Sequence, residues 1–164
     1  MLIIVTGVSG TGKTTIGHMI SSHLEIPFFD ADDFHTKENI AKMSNGIPLT
    51  DEDRIPWLER LADQLEFHKD KGGAVLGCSA LKEAYRKVLA KSNEIIWIHL
   101  IGSEDLIWER MKKRKNHYMK ASMLSSQFEI WEKPSEGICL SIDESPEAIF
   151  SKAMDYILNC AEIK

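Results

Sequence analysis

Cysteine is scarce in this chain of 164 residues, and the few that occur exclude two classes of small protein. Cys78, Cys139 and Cys160 are odd in number, lie far apart and form no Cys-x-x-Cys pair. The spacing therefore indicates neither a disulfide framework nor a cysteine-based zinc site. Unpaired cysteines are typical of reducing compartments, so we expect a cytoplasmic protein.

Long hydrophobic runs are also missing. The longest, Met1–Val5 and Ile95–Ile101, fall far short of the ~20 apolar residues that a membrane-spanning helix needs. No basic segment precedes the first run, so we expect no secretory signal. The sequence thus predicts no association with a membrane.

The chain has no excess of positive charge. Lys and Arg number 20 against 25 Asp and Glu, which gives a formal net charge of −5. A mildly acidic protein is poorly suited to bind nucleic acid in general, so we expect no nucleic-acid partner. A local basic pocket for a small anion remains compatible with this balance.

What is present is the composition and periodicity of one globular α/β domain over residues 1–164, with 43% apolar and 27% charged residues. Amphipathic helical patterns separate short apolar runs that rarely alternate with polar residues, as strands buried on both faces do. This alternation predicts a three-layer fold around a parallel sheet. The five predicted strands are Leu2–Thr6, Pro27–Phe29, Ala74–Gly77, Ile95–Ile101 and Ile138–Ile142.

Two long segments interrupt the alternation. Residues 30–68, with Asn45-Gly46 and Pro48, predict a helical excursion with an internal turn, suited to bind a substrate. Residues 112–137 are polar and begin with basic residues. Long connections in compact domains are usually functional, and we expect the second to be a lid.

A phosphate-binding motif lies between the first predicted strand and the first predicted helix, which is the context that G-x-x-x-x-G-K-[ST] requires. Its glycines let backbone N–H groups approach oxyanions, and the helix directs its positive end at them. Lys13 is expected to reach the β- and γ-phosphates, and the Thr14 hydroxyl to ligate Mg²⁺. Thr15 is a weaker candidate for the same site. The motif consists of Gly7, Val8, Ser9, Gly10, Thr11, Gly12, Lys13 and Thr14.

This motif does not select a reaction. A GTPase would need an Asn-Lys-x-Asp element, which the sequence lacks, and Asp70-Lys71-Gly72-Gly73 precedes a strand instead of following one. A small-substrate kinase and a nucleotide-binding regulator remain open.

Acidic residues follow the second predicted strand, where ligands of open α/β sheets collect. Asp30 and Asp32 share one side if the chain stays extended, and Asp33 then points away. Phosphoryl transfer needs a carboxylate near Mg²⁺, for which we assign Asp30, directly or through water. It also needs a carboxylate to accept the proton of the attacking hydroxyl, for which we assign Asp32. The alternative is a solvated acidic turn or a helix cap.

Several cations suggest an anionic acceptor. Arg54 lies in an unusual run of acids, Pro and Trp, and Lys82 and Arg86 are four residues apart, as on one helix face. A guanidinium can bind a carboxylate with two hydrogen bonds. Ser79 is predicted to be a hydrogen-bonding contact, and His35 lies where substrate is expected. The alternative is exposed helix charge.

Arg110 and Arg114 are also four apart, at the start of the predicted lid. Their functional interpretation is that they neutralise charge on the transferring phosphoryl group, with His117 and Lys120 joining on closure. The alternative is a solvated helix end.

These residues together resemble the small P-loop gluconokinases, which are related to shikimate and nucleoside monophosphate kinases. The resemblance runs through most of the chain. The stretch from Gly46 through Trp57 and the run Cys78-Ser79-Ala80-Leu81-Lys82 are specific to that family. Further matching segments are Tyr85-Arg86, Arg114 to Tyr118, and Ser126-Gln127-Phe128-Glu129.

The resemblance implies a five-stranded parallel sheet of order 2-3-1-4-5 with a helical substrate-binding region and a mobile lid. It implies transfer of the γ-phosphoryl group of ATP, with Mg²⁺, to the 6-hydroxyl of D-gluconate. Members are often dimers, so a homodimer is expected. Adenine is expected between Arg110 and the loop Asp143–Pro146. Asp33 and Tyr118 depart from the apolar or Phe residues expected there.

Two alternatives stay beside this interpretation. A kinase for another small acid or a nucleoside monophosphate would share the phosphate loop, but the low arginine count and the run Cys78–Lys82 disfavour it. A sensor without turnover would be favoured by loss of Asp32 or of a lid arginine, and both are present.

Overall fold

The structure is a computed structural model that describes residues 1–91, 93–113 and 121–162. Within these residues it contains five strands and seven α-helices. In chain order they are β1 Leu2–Thr6, α1 Lys13–Leu24, β2 Phe28–Asp30, α2 Lys37–Ser44, α3 Asp51–Lys69, β3 Ala74–Gly77, α4 Glu83–Ala90, β4 Ile95–Ile101, α5 Glu104–Lys112, α6 Ala121–Ile130, β5 Ile138–Ser141 and α7 Pro146–Glu162. A 3₁₀ turn, Ala31–Phe34, follows β2.

The strands form one parallel sheet of order β2-β3-β1-β4-β5, which confirms the expected topology. β1 lies in the centre, with Leu2 opposite Ala74 of β3 and Ile95 of β4. All five residues of β1 are buried, as its unbroken apolar run predicts for a strand covered on both faces. The predicted bounds of β1, β3 and β4 are confirmed.

The second strand begins one residue later than predicted. Pro27 has no N–H to donate to a ladder, while Asp30 pairs with Gly77. β5 ends at Ser141, one residue earlier than predicted. The shift of β2 places Asp30 at the carboxyl edge of the sheet.

Helices cover both faces of the sheet in two separate apolar clusters, which makes the three layers. On one face α1 and α7 contribute Ile16, Ile20 and Ile157 to the core. On the other face α3 and α4 contribute Leu58, Leu61 and Leu89, among others.

Residues 30–68 form the predicted helical excursion: α2 and α3 are joined by a turn in which Gly46 adopts a φ of 71°. Thr50 caps α3 through a reciprocal pair of hydrogen bonds with Asp53. The helix therefore starts at a fixed residue, which sets where Arg54 and Trp57 lie along it.

Within residues 112–137 the structure contains α6, and residues 114–120 of the predicted lid lie outside the described part of the chain. Among the described residues, no helix has both the length and the apolar character required to cross a membrane.

Candidate active site

The phosphate loop connects β1 to α1 and is held by contacts of its own. Val8 O accepts hydrogen bonds from Thr11 Oγ1 at 2.9 Å and from Lys13 Nζ at 3.0 Å. Gly12 adopts a left-handed φ of 96° directly before α1, so backbone N–H groups gather at the positive end of that helix. At Gly7, a Cβ would lie 2.6 Å from Thr11 Oγ1, so a side chain there would collide with the loop. The geometry is that of an oxyanion cradle.

Two side-chain oxygens that could ligate a metal lie close together beside this loop. Thr14 Oγ1, in the first turn of α1, donates to Asp30 Oδ2 at 3.2 Å, at the end of β2. A hydroxyl and a carboxylate are ligands that Mg²⁺ accepts when phosphate oxygens and water complete its shell. No cluster of three or more His, Cys, Asp or Glu side chains suited to enclose a metal occurs in the described residues. The pair thus fits a metal shared with a nucleotide better than a metal held by protein alone.

The chain does not stay extended after β2, contrary to the assumption used for the acidic pair. Asp30 Oδ1 caps the 3₁₀ turn by accepting from Asp32 N at 3.0 Å. Asp30 and Asp32 nevertheless both line one cavity, whereas Asp33 is not among its lining residues. Asp30 thus caps the turn and also lines the cavity together with Asp32. A capping role and a role in binding are therefore compatible.

Partial desolvation, followed by repulsion from the neighbouring Asp30 carboxylate, raises the pKa of Asp32 above its usual value, against the lowering effect of Lys13 and His35. The Asp32 side chain itself is 87% exposed. It lies 3.8 Å from His35 Nε2. A carboxylate with a raised pKa is a better proton acceptor than an ordinary one.

His35 is fixed against α3. Its ring stacks on Trp57 with centroids 4.2 Å apart, and Trp57 Nε1 donates to Ala31 O at 2.8 Å. Burial lowers the pKa of His35, opposed by Asp32 and aided by Arg54, so the imidazole is neutral at pH 7. Its Nδ1 is buried and has no hydrogen-bond partner among the described residues. A neutral ring can both donate and accept hydrogen bonds with a polyhydroxy ligand.

The cavity has a volume of about 340 Å³ and brings together the donor and acceptor sides of the predicted site. Ser9 and Lys13 belong to the phosphate loop, while Arg54 and Ser79 lie around the acceptor space. Arg54 is steadied by a hydrogen bond from its Nε to Leu49 O at 3.3 Å. The lining residues are Ser9, Lys13, Asp30, Asp32, His35, Met43, Ile47, Pro48, Leu49, Arg54, Trp57, Gly77, Cys78, Ser79, Met123, Ser126, Gln127 and Ile130.

Lys82 is not among the lining residues and does not share a helix face with Arg86. It adopts an extended conformation at the N-cap position of α4, where its side chain makes no capping hydrogen bond. Its ammonium pairs with both Asp51 carboxylate oxygens at 2.9 Å, and Tyr85 donates its hydroxyl to the same carboxylate. In this structure Asp51 pairs with the ammonium that was predicted to bind an anionic substrate, and binding of substrate by Lys82 stays a prediction.

Arg86 is likewise absent from the cavity. It is buried, and its Nη1 donates to Ala80 O at 3.0 Å and Leu81 O at 3.2 Å. Ala80 has a φ of 40°, a left-handed conformation that costs a non-glycine residue free energy. Arg86 therefore supports the strained loop that carries Ser79 to the cavity.

Arg110 donates from Nη2 to Ile142 O, next to the loop in which adenine was expected. This contact brings the predicted partners together, and adenine binding there stays a prediction. Arg114, His117 and Lys120 lie outside the described residues.

The structure adds residues that sequence reasoning did not assign. Gln127 of α6 reaches the phosphate loop: its Oε1 accepts from Ser9 N at 2.8 Å, and its Nε2 donates to Ser9 Oγ at 3.2 Å. The signal in the sequence was the Ser-Gln-Phe-Glu run of the family resemblance, to which no role had been attached. The apolar wall formed by residues such as Met43 and Met123 left no signal beyond ordinary helix periodicity.

Cys78 is a cavity residue without reactive character. Burial raises the pKa of its thiol to about 12, so the thiolate is essentially absent at neutral pH. The thiol therefore acts as a packing group and not as a nucleophile.

Comparison with known proteins agrees with this geometry. A family model described as "AAA domain" matches residues 3–132. A probable gluconokinase of Mus musculus is 39% identical over 94% of this chain and 96% of its own length. The thermosensitive gluconokinase of Escherichia coli K12 is 46% identical over 80% of this chain and 71% of its own.

A solved structure extends the agreement to the fold. The crystal structure of a gluconokinase from Sinorhizobium meliloti 1021 superposes with a TM-score of 0.90 at 38% identity, covering 98% of this chain and 93% of the other. Sequence identity at this level over nearly the whole length supports membership of the same family, which sheet topology alone would not. The chain belongs to the gluconokinase family.

Proposed function

We propose that this protein transfers the γ-phosphoryl group of ATP to the 6-hydroxyl of D-gluconate, giving 6-phospho-D-gluconate and ADP. The observation that carries the proposal is the single cavity shared by Lys13 of the phosphate loop, the Asp32 carboxylate and the Arg54 guanidinium. A carboxylate beside the phosphate loop suits an alcohol acceptor. A cation farther along the cavity suits an acceptor that also carries an acid group.

On the donor side, the backbone of Gly7 to Thr14 and the Lys13 ammonium hold the phosphates of ATP. Thr15 and Arg110 extend this nucleotide site, and Arg110 contacts the adenine. Thr14 and Asp30, 3.2 Å apart, would hold Mg²⁺, Asp30 directly or through water. Bound Mg²⁺ supplies positive charge that offsets the charge developing on the phosphate oxygens.

On the acceptor side, Asp32 accepts the proton of the gluconate 6-hydroxyl. The oxygen of that hydroxyl attacks the γ-phosphorus while the bond from phosphorus to the ADP oxygen breaks. His35 and Ser79 orient hydroxyl groups, and Arg54 binds the carboxylate. Arg114 and His117 stay predicted contacts of the phosphoryl group and of gluconate. Arg86 supports the loop that carries Ser79 through its bond to Ala80 O, and Lys82 pairs with Asp51 of α3. Contact of Lys82 and Arg86 with gluconate stays a prediction.

The wider predictions concern assembly and location. A homodimer remains a proposal that sedimentation velocity would test directly. A cytoplasmic location remains a prediction from the cysteine pattern, and all three cysteines are free thiols in the structure.

The experiment that tests the proposed activity is a coupled ADP-release assay with Mg-ATP over gluconate, shikimate, AMP and related sugar acids. We expect turnover with gluconate, with kcat/KM at least ~10²-fold above the other acceptors, because an acceptor whose hydroxyl groups are arranged differently would leave hydrogen-bonding groups of the site unpaired. Turnover with a different acceptor would assign a different small-acid or nucleotide kinase. Nucleotide binding without turnover of any acceptor would assign a sensor.

A further inference from the structure

Gln127 makes the connection between the phosphate loop and the helix that forms the opposite wall of the cavity. Its amide oxygen lies 2.8 Å from Ser9 N and its amide nitrogen 3.2 Å from Ser9 Oγ. The side chain thus bonds to the backbone N–H and the hydroxyl of Ser9 at once. A neutral primary amide is suited to this because it accepts and donates at adjacent atoms.

The position of Ser9 gives this contact its meaning. Phosphate loops work by offering backbone N–H groups to phosphate oxygens, and the Gln127 oxygen binds one N–H of that loop. Ser9 and Gln127 both line the cavity that also contains Lys13 and Asp32. The amide therefore contacts the loop that would hold the donor phosphates and borders the same cavity as the carboxylate that would receive the acceptor proton.

Helix α6 does not depend on Gln127 for its own placement. Leu124 is buried in the apolar core and Phe128 packs against it. Ser125 donates to Glu104 of α5, and Glu132 N, just past the helix, donates to Leu81 O at 2.8 Å. The helix is thus fixed on three sides, and Gln127 transmits that fixed position to the phosphate loop.

We propose that Gln127 is a positioning residue for phosphoryl transfer, which holds the Ser9 end of the phosphate loop against α6 and so sets the separation between the transferring phosphate and the acceptor. The proposal rests on the proposed function for its catalytic consequence only. Misplacement of reacting groups by about 1 Å can cost ~10²-fold in rate.

Two substitutions separate this role from simple packing. Gln127→Met keeps the length and removes both hydrogen bonds, so we expect kcat with gluconate to fall by ~10–100-fold while KM for gluconate changes by less than ~3-fold. Gln127→Glu can keep both hydrogen bonds, because a carboxylate accepts from the Ser9 N–H and from the Ser9 hydroxyl. It also places a negative charge beside the phosphates, so we expect binding of Mg-AMPPNP to weaken by ~10-fold or more with the melting temperature unchanged.

The matched controls are Gln64→Met and Gln64→Glu, since Gln64 of α3 contacts His68 and does not line the cavity. Both controls should leave kcat and Mg-AMPPNP affinity as in the wild type. Wild-type affinity for Mg-AMPPNP in Gln127→Glu, or wild-type kcat in Gln127→Met, would overturn the proposal. If wild-type protein does not phosphorylate gluconate, the proposed function fails, and kcat of Gln127→Met with the acceptor that the assay identifies then tests the role of Gln127. Without any acceptor, Mg-AMPPNP affinity of Gln127→Glu still tests whether Gln127 lies beside the bound phosphates, and wild-type affinity there overturns the proposal.

Discussion

At the scale of single residues, Asp32 combines a raised pKa with a side chain that is largely exposed. Partial desolvation and the neighbouring Asp30 carboxylate raise the pKa, yet the side chain is 87% exposed. Chemistry and fold can therefore be separated by substitution at this position. Trp57 does not allow this, because it is buried and donates to Ala31 O, so its substitution would also disturb the fold.

For Asp32→Asn we expect kcat to fall by ~10²–10⁴-fold, because the variant cannot accept the proton of the attacking hydroxyl. The melting temperature should change little. In the wild type, kcat/KM should decline as the pH is lowered through the raised pKa, since the working form is the carboxylate. That acid limb should begin above the ordinary aspartate pKa of 3.8 and be absent in the variant.

The matched control is Asp33→Asn, which removes the adjacent carboxylate outside the cavity lining. It should keep the activity of the wild type, and its acid limb should remain but move slightly to lower pH, because Asp33 makes the smallest of the contributions that raise the pKa of Asp32. A pH–rate profile of the three proteins makes the comparison, and an active Asp32→Asn enzyme would exclude Asp32 as the base.

Residue-scale contacts also mark where sequence reasoning reached its limit. Lys13, Asp32 and Arg54 were placed at the site because motif, strand end and unusual composition each identified them locally. Lys82 and Arg86 were interpreted from charge and spacing alone, while Asp51 and two backbone carbonyls compete for them in three dimensions. Contacts of this kind form between residues that are distant in sequence, so the sequence of one segment does not predict them.

At the scale of elements, α3 connects fold stability to the acceptor side of the cavity. The cap at Thr50 fixes where the helix begins, and Arg54 and Trp57 follow within its first two turns. The remainder of the helix packs on the sheet through Leu61 and Leu65. Lys42, followed by Thr50, lowers the pKa of Asp53 to about 2. The stability that the Asp53 carboxylate contributes is thus present above pH 3.8 and lost as the pH falls towards 2.

Thr50→Ala should destabilise the protein by about 1 kcal/mol, because the Asp53 N–H loses the hydroxyl that accepts its hydrogen bond at 3.2 Å. Urea denaturation at pH 7 measures the loss. Thr50→Ser keeps the hydroxyl and should recover most of it. Equal stability of the Ala and Ser variants would show that the cap contributes nothing.

The elements themselves could be predicted because strand runs of a parallel sheet are short, apolar and bounded by polar segments. The exact bounds of β2 could not be predicted, because they depend on which residues pair with the neighbouring strand β3, where Asp30 lies opposite Gly77. The role of α6 was missed for a similar reason. A glutamine on a helix has many uses, and only the packing of α6 beside the phosphate loop selects one.

At the scale of the whole molecule, the sheet joins two apolar layers that are otherwise separate. Trp57 and Trp97 lie in the α3–α4 layer and Trp108 packs against the α1–α7 layer, so tryptophan fluorescence reports on both. Strands such as β1 contribute side chains to both clusters. We therefore propose that residues 1–164 unfold as one domain.

Leu61→Ala in one layer and Ile20→Ala in the other should each cost about 2–5 kcal/mol, because both side chains are fully buried. Each should shift the circular dichroism and fluorescence transitions together. Leu158→Ala, at a position 49% exposed, should cost less than about 0.5 kcal/mol. Separate transitions for the two probes would contradict a single cooperative unit.

The central position of β1 has a consequence for biosynthesis. β1 is translated before both of its neighbours, which are residues 74–77 and 95–101. The edge of β1 that pairs with β4 has no partner until residues 95–101 have been made, so the nascent chain carries a largely apolar strand with one open edge while the segments from α1 to α4 are synthesised. The nucleotide loop follows β1 directly, and it is therefore synthesised before Gln127, whose side chain contacts it.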